Sequence, residues 1–230
     1  MMRFLILLIV IVSISCEKKD NPQVETTPTD VNAGKTHVPF TPDTEEAPVL
    51  TLPLNGINFA DGQIVQVHPM GIPEGTEGQT SEEIEVVRAI PGENIRSYVS
   101  GIVSGVGMVD GNQSNNNINI RYGRNYVILH LHVSNVPSDI VVGRMVQVGD
   151  LLGTTQSDLS GWSGRGFWEL AILKKEGAGC YFVCPVDYFD AAGQTVLNEL
   201  ARKYNLSGRT EFCYTKRVDN SVCNPLDEYQ

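Results

Sequence analysis

The feature that most constrains the fold is a succession of short β-prone runs, separated by Gly, Asn, Asp and Pro, that begins at Val49. Runs of this kind are typical of all-β sandwiches and barrels. The predicted strands are 63–68, 84–88, 101–106, 117–122, 126–133, 145–148 and 166–173, with a hairpin turn at 110–116. Apolar residues at helical spacing predict one helix at 194–204. The sequence therefore predicts a small antiparallel β-barrel or sandwich with one C-terminal helix.

The amino terminus combines a short apolar run with a cysteine. Arg3 precedes the run at 4–12, which is too short to span a bilayer, and small residues lie just before Cys16. This pattern resembles a bacterial lipoprotein signal peptide, so we expect removal of residues 1–15 and acylation of Cys16. The expected location is the cell envelope of a Gram-negative bacterium, with a lipid anchor in the outer membrane.

The composition changes at two places along the chain. Residues 16–48 are rich in Pro, Thr and charged residues and are predicted to form a flexible tether. Residues 49–190 are predicted to form the β domain, and residues 191–230 a helix with a cysteine-containing tail. The formal net charge of −10 argues against nucleic acid as a partner.

The cysteines after Cys16 all lie in the last quarter of the chain, at Cys180, Cys184, Cys213 and Cys223. An even number of clustered cysteines in an exported protein predicts two disulfides, and the sequence leaves their pairing open. The alternative is a zinc site with four thiolate ligands. We expect disulfides that fasten the tail to the β domain.

Two histidines alternate on one predicted strand, His130 and His132. Residues two apart in a strand point to the same face, so both imidazoles could bind one metal ion. Such a site would need a third donor, for which His68, Glu85 and Glu169 are candidates. The alternative is a pair of groove or surface histidines without metal.

A series of motifs extends from residue 94 to residue 190. It comprises the GIV strand at 101–103, a polar hairpin, the strand with His132, a Gly-punctuated repeat that ends at Gly153, and the aromatic-Glu strand at 167–169. This series resembles the β-sheet core of zinc endopeptidases of the lysostaphin or LytM type, which cut peptidoglycan cross-links. The resemblance implies the same β-rich fold.

The resemblance also implies which residues stand at the metal positions. In that family zinc is held by the His and Asp of an HxxxD motif and by the second His of an HxH motif. The motif order aligns Ser81 and Glu85 with HxxxD, and Arg165 and Phe167 with the two histidines of HxH. His132 aligns with a proton-handling histidine and would be vestigial. Because phenylalanine cannot bind zinc, the resemblance implies a domain without metal or other cofactor.

The implied function is that of a lipid-anchored envelope protein whose peptidase-like domain binds the cell wall or a partner protein without hydrolysis. The residues expected to line its groove are His130, Arg165, Trp168 and Glu169, and the aromatic residues Trp162, Phe167, Tyr181 and Phe182 belong either to that groove or to the core. One alternative is an active zinc endopeptidase that uses His68, His130 and His132. A second is a structural lipoprotein of an envelope complex. The expected partners are a membrane, through the anchor, and peptidoglycan or another envelope protein.

Overall fold

The computed structural model describes residues 43–52, 64–68, 70, 73–74, 79–80, 83–88, 90–109, 112–157, 164–203, 213 and 217–220. The strands are β1 (Ile64–His68), β2 (Pro73–Glu74), β3 (Gln79–Thr80), β4 (Ile84–Arg88), β5 (Asn94–Arg96), β6 (Gly101–Val109), β7 (Asn112–Tyr122), β8 (Tyr126–Ser134), β9 (Met145–Val146), β10 (Leu151–Thr155), β11 (Gly166–Glu176), β12 (Gly179–Val183) and β13 (Arg217–Asn220). A 3₁₀ helix spans Pro185–Tyr188, and α1 spans Ala191–Lys203. Across these ranges, no helix combines the length and apolar character that a membrane crossing requires.

One large antiparallel sheet contains most of these strands. Its main order is β1-β4-β11-β8-β7-β6-β9, while β10 pairs with β5 and β8, and β12 pairs with β11 and β13. The short strands β2 and β3 form a separate pair. The predicted all-β antiparallel fold with one C-terminal helix is thereby confirmed. No pairing among the described strands joins β9 back to β1, so the sheet is open.

Among the element boundaries that differ from the prediction, two have a visible structural cause. The polar segment 110–116, predicted as a turn, belongs largely to β7, which begins at Asn112. The side chain of Asn116 donates a hydrogen bond to the Val133 carbonyl of the next strand, at 3.1 Å, which favours the extended conformation of this polar residue. The helix begins at Ala191 because Asp190 caps it, accepting a hydrogen bond from the Gly193 amide at 2.8 Å.

The core lies on one face of the sheet, where Ile118, Ile120 and Ile128 are completely buried. Tyr98 packs among the aromatic rings of this region, with its centroid 5.6 Å from that of Phe189. Phe189 is itself 3% exposed and belongs to the same core cluster. Aliphatic burial of this extent is the main source of stability in such a domain.

The tail beyond α1 is joined to the sheet in two ways. Cys184 forms a disulfide with Cys213, 29 residues later, and β13 pairs with β12. Cys180 is also disulfide-bonded; Cys223 lies outside the described residues. The predicted disulfide-linked tail is thus confirmed for the Cys184–Cys213 bond. A four-thiolate zinc site is wrong, because disulfide sulfurs cannot serve as thiolate ligands.

We expect the double substitution Cys184→Ser and Cys213→Ser to lower the free energy of unfolding by about 3 kcal/mol, since the bond closes a long loop in the unfolded chain. Urea denaturation followed by tryptophan fluorescence measures this loss. A midpoint equal to that of the unsubstituted protein would show that the bond does not constrain the tail.

Candidate functional site

One extra residue interrupts the regular pairing of β7 with β8. Asn116 and Ile118 are two residues apart on β7, but their partners on β8, Val133 and His130, are three apart. Within this interval His132 has a φ of 58°, in the left-handed region that non-glycine residues rarely adopt. These are the marks of a β-bulge, which shifts the alternation of side chains by one position. The prediction that both strand histidines face the same side is wrong for this reason.

His130 points into the core. Its side chain is 0% exposed, and its ring stacks on Tyr98 with centroids 5.4 Å apart and lies 6.2 Å from the ring of Trp168. Neither ring nitrogen has a hydrogen-bond partner within the described part of the chain. Burial lowers the pKa of His130 to about 3, so the ring is neutral at physiological pH.

Two of the predicted groove residues are therefore core residues. His130 and Trp168, the latter 1% exposed, cannot line a solvent-filled groove. The alternative zinc set of His68, His130 and His132 is also wrong, because His130 lies on the opposite side of the sheet from His132. Phe182 is 8% exposed and belongs to the core cluster, whereas Tyr181 packs against it while half-buried.

His132 lies where β8 changes partners. Through Leu131 the strand pairs with β11, and from Val133 onward it pairs with β10. Just beyond β10, Gln156 exchanges two backbone hydrogen bonds with Phe167 of β11, at 2.9 and 3.1 Å. The close approach of β10 to β8 requires Gly153, where a Cβ atom would lie 2.5 Å from the Ser134 carbonyl oxygen. Three strands therefore converge around the His132 side chain.

Both nitrogens of His132 face hydrogen-bonding oxygens. Nε2 lies 3.3 Å from Oε2 of Glu169, and Nδ1 lies 3.0 Å from Oδ1 of Asn115 and 3.3 Å from Oε1 of Gln156. The ring of Phe167 meets the imidazole edge-on, with centroids 4.9 Å apart. The position of His132 is therefore fixed by four side chains, which come from β7, from β11 and from Gln156 just after β10.

The polar contacts continue from Glu169 across two more strands. Glu169 is paired in register with Glu85 on β4, which is paired in turn with His68 on β1. Nδ1 of His68 lies 3.0 Å from Oε2 of Glu85, and the register places the Glu85 and Glu169 side chains side by side on one face of the sheet. We call these four residues, His68, Glu85, Glu169 and His132, the polar row.

Glu169 is the most perturbed acid of the polar row. Burial raises its pKa above the ordinary value of 4.5, Glu85 adds to this increase, and the hydrogen bond and charge of His132 act in the opposite direction. A carboxyl whose pKa is raised on folding stabilises the fold below pH 4.5, and this contribution is lost as the pH rises through the folded-state pKa. The Glu169 carboxyl therefore favours the folded state most when it is protonated.

The predicted site residues are thus brought together in part. Glu85 and Glu169 face His68 and His132, whereas Arg165 is exposed just before β11. Ser81 and Trp162 lie outside the described residues. Sequence reasoning missed Asn115 and Gln156, because Asn115 fell in the predicted turn and Gln156 belonged to no motif.

The described residues do not fit a zinc centre. No group of three or more His, Cys, Asp or Glu side chains in the described ranges is arranged to hold a metal ion. The donors of the polar row contact one another, and the apolar ring of Phe167 stands against His132. A catalytic zinc site needs three protein ligands directed at one point and an open fourth position.

Comparisons with known proteins give distant structural likenesses. No family model matches the chain, and no curated protein matches it. The catalytic domain of the prophage-encoded M23 protein EnpA from Enterococcus faecalis is similar over 53% of this chain and 88% of that one, at 23% identity and a TM-score of 0.41. The catalytic domain of the antimicrobial peptidase lysostaphin from Staphylococcus simulans is similar over 48% of this chain and 80% of that one, at 17% identity and a TM-score of 0.38.

A third similar structure is Csd3 of Helicobacter pylori, at 14% identity and a TM-score of 0.44. The match covers 76% of this chain but 46% of Csd3, so this chain spans less than half of that protein. At these identities and TM-scores the likenesses decide neither family nor activity. The chemistry of the site follows from its own side chains.

We expect His132→Ala to destabilise the domain more than His132→Gly, by about 1 kcal/mol, because alanine keeps the cost of a left-handed backbone that glycine avoids. Both substitutions remove the same side-chain contacts, so each serves as the control for the other. Thermal unfolding monitored by circular dichroism gives the difference. Equal stability of the two variants would contradict a left-handed bulge at this position.

We expect the free energy of unfolding to fall by up to about 1.4 kcal/mol per pH unit as the pH drops below 6.5 towards the folded-state pKa of about 3. The unfolded chain takes up a proton on His130 in this range, and the folded chain does not. His130→Phe should flatten the slope, as measured by urea denaturation between pH 4.5 and 7. An unchanged slope in the variant would show that His130 is accessible to protons in the folded state.

Proposed function

We propose that the β domain is a binding module of the bacterial cell envelope, which holds a cell-wall peptide at the polar row without hydrolysing it. The observation that carries this proposal is the contact between Phe167 and His132. Phe167 stands where the resemblance to the endopeptidases requires a metal-binding histidine. The imidazole beside it is hydrogen-bonded through both nitrogens.

Loss of hydrolysis follows from the same contacts. Zinc peptidases lower the pKa of a metal-bound water and polarise the scissile carbonyl, and both steps need an open coordination position. In the polar row the carboxyl of Glu85 contacts His68, and that of Glu169 contacts His132. We therefore assign ligand binding, and not hydrolysis, to the face that carries the polar row.

A peptide suits the polar row because its amide groups are hydrogen-bond donors. Carboxylate and amide oxygens lie close together here, on Glu85, Glu169, Asn115 and Gln156. Side-chain exposure decreases from 32% at His68 to 17% at Glu85 and 9% at Glu169. A ligand would therefore enter from the His68 end and reach Glu169 last.

The envelope location belongs to the same proposal. Acylation of Cys16 would hold the domain at a membrane, and the segment between Cys16 and the first described residue, Asp43, would let it reach the cell wall. A protein of the envelope complex is the other candidate ligand. Affinity purification from membranes after complete digestion of peptidoglycan separates the two, because a protein partner would remain bound.

We expect purified full-length protein in detergent to sediment with peptidoglycan, to release no muropeptides and to contain no stoichiometric zinc by mass spectrometry. Glu169→Gln should weaken sedimentation about tenfold or more, because it removes a buried hydrogen-bonded carboxyl. The matched control is Glu199→Gln, which alters an exposed glutamate on α1. Stoichiometric zinc together with chelator-sensitive release of muropeptides would overturn the proposal.

A further inference from the structure

Three asparagines alternate along one face of β7. Ile118 of this strand lies in the core, so its neighbours Asn117 and Asn119 project from the opposite face of the sheet. Asn115 lies on that face as well, because its Oδ1 is 3.0 Å from Nδ1 of His132. We call Asn115, Asn117 and Asn119 the asparagine ladder. It begins beside the polar row and continues along β7 away from it.

The asparagine ladder contains hydrogen-bonding groups that the fold does not use. Oδ1 of Asn117 and Oδ1 of Asn119 are buried, and neither accepts a hydrogen bond within the described part of the chain. A buried acceptor without a donor destabilises the folded state, and asparagine is also disfavoured in strands. Residues that break the local rules of folding are expected at functional sites. The two amide oxygens therefore suit a ligand that supplies hydrogen-bond donors.

The neighbouring strand β6 presents glycines to the asparagine ladder. Gly105 and Gly107 pair in register with Asn119 and Asn117. A Cβ atom at Gly105 would lie 3.0 Å from Nδ2 of Asn119, so this amide rests against the backbone of β6. A Cβ atom at the exposed Gly107 would meet no described atom within 4 Å. Asn117 is half-buried beside this space, and a rotation about its soft χ2 angle would turn Oδ1 towards a ligand there.

We propose that the asparagine ladder binds the backbone of an extended, uncharged peptide segment that runs along β7 from the polar row. This inference rests on the proposed binding function and names the part of the ligand that is recognised. Alternate residues of a strand are about 6.8 Å apart, and backbone amides that point the same way in an extended peptide repeat at this distance. Each asparagine amide both donates and accepts, so it matches a backbone N–H and C=O.

The residues beside the ladder favour an uncharged segment. Leu129 of β8 pairs in register with Asn119 and is half-buried on the same face. Leu131, the next β8 residue on that face, pairs with Glu169 of β11. These two leucines separate the ladder from the acidic part of the polar row and offer apolar contacts to a ligand. Amides beside apolar side chains suit a neutral backbone better than a charged group, which loses more hydration on binding.

The first test titrates full-length ¹⁵N-labelled protein in detergent with the peptide N-acetyl-Ala-Ala-Ala-Ala-amide. We expect the side-chain NH₂ signals of Asn117 and Asn119 to shift in NMR spectra as the peptide binds. The control peptide carries a methyl group on every amide nitrogen and therefore lacks hydrogen-bond donors. It should bind about tenfold more weakly or less, because each lost hydrogen bond costs about 1 kcal/mol and 1.4 kcal/mol is tenfold in affinity.

The second test removes the amides and keeps the shape of the side chains. The double substitution Asn117→Leu and Asn119→Leu should weaken both peptide binding and sedimentation with peptidoglycan about tenfold. Its unfolding temperature should be unchanged or higher, because two unpaired buried acceptors are removed. The matched control is Asn198→Leu, which alters a half-buried asparagine on α1 and should leave binding unchanged.

Four outcomes would overturn the inference. Equal binding by the double variant and the unsubstituted protein would exclude the ladder, while sedimentation with peptidoglycan would leave the proposed function intact. Weaker binding together with a lower unfolding temperature would assign the asparagines to the fold. Shifts of the two NH₂ signals with an N-acetylglucosamine oligomer, and not with the peptide, would show that the ladder binds glycan. If the unsubstituted protein binds neither the peptide nor peptidoglycan, the proposed function fails with the inference.

Discussion

The arrangement of the site depends on the β-bulge at His132. One extra residue on β8 moves His130 to the core face and His132 to the face of the polar row. Without the bulge both imidazoles would lie on the same side of the sheet. Either His132 would then enter the core beside Trp168, or His130 would leave the core for the face that carries Glu169. The left-handed backbone costs about 1–3 kcal/mol, which the contacts around His132 must offset.

The bulge also explains why three strands meet at this point. As β8 leaves β11 it pairs with β10, and the gap is closed by the backbone bridge between Gln156 and Phe167. At this junction the His132 imidazole contacts the hydrogen-bond acceptors of Asn115, Gln156 and Glu169 and the apolar ring of Phe167. Such a surface suits recognition of hydrogen-bond donors better than activation of water.

The two faces of the sheet also respond to pH in opposite senses, because His130 destabilises the fold in acid and Glu169 favours a retained proton.

Much of the fold follows from local sequence. Strands β4 and β11 could be predicted because each is an apolar run between turn residues. Strand β4 has its predicted bounds, and β11 extends beyond its predicted end. Glu85 and Glu169 lie on these two strands, whose pairing places them opposite each other. The bulge could not be predicted, because it is a property of the register between β7 and β8 rather than of β8 alone. Asn115 was missed for a related reason, since cross-strand bonding keeps a polar segment extended.

The opposite orientation of the two strand histidines is tested most directly by aromatic nuclear Overhauser effects in ¹³C-labelled protein. We expect cross-peaks from the His130 ring to Tyr98 and Trp168, and from the His132 ring to Phe167, with no aromatic ring common to the two histidines. Cross-peaks from both imidazoles to the same aromatic ring would place them on one face of the sheet and contradict their opposite orientation.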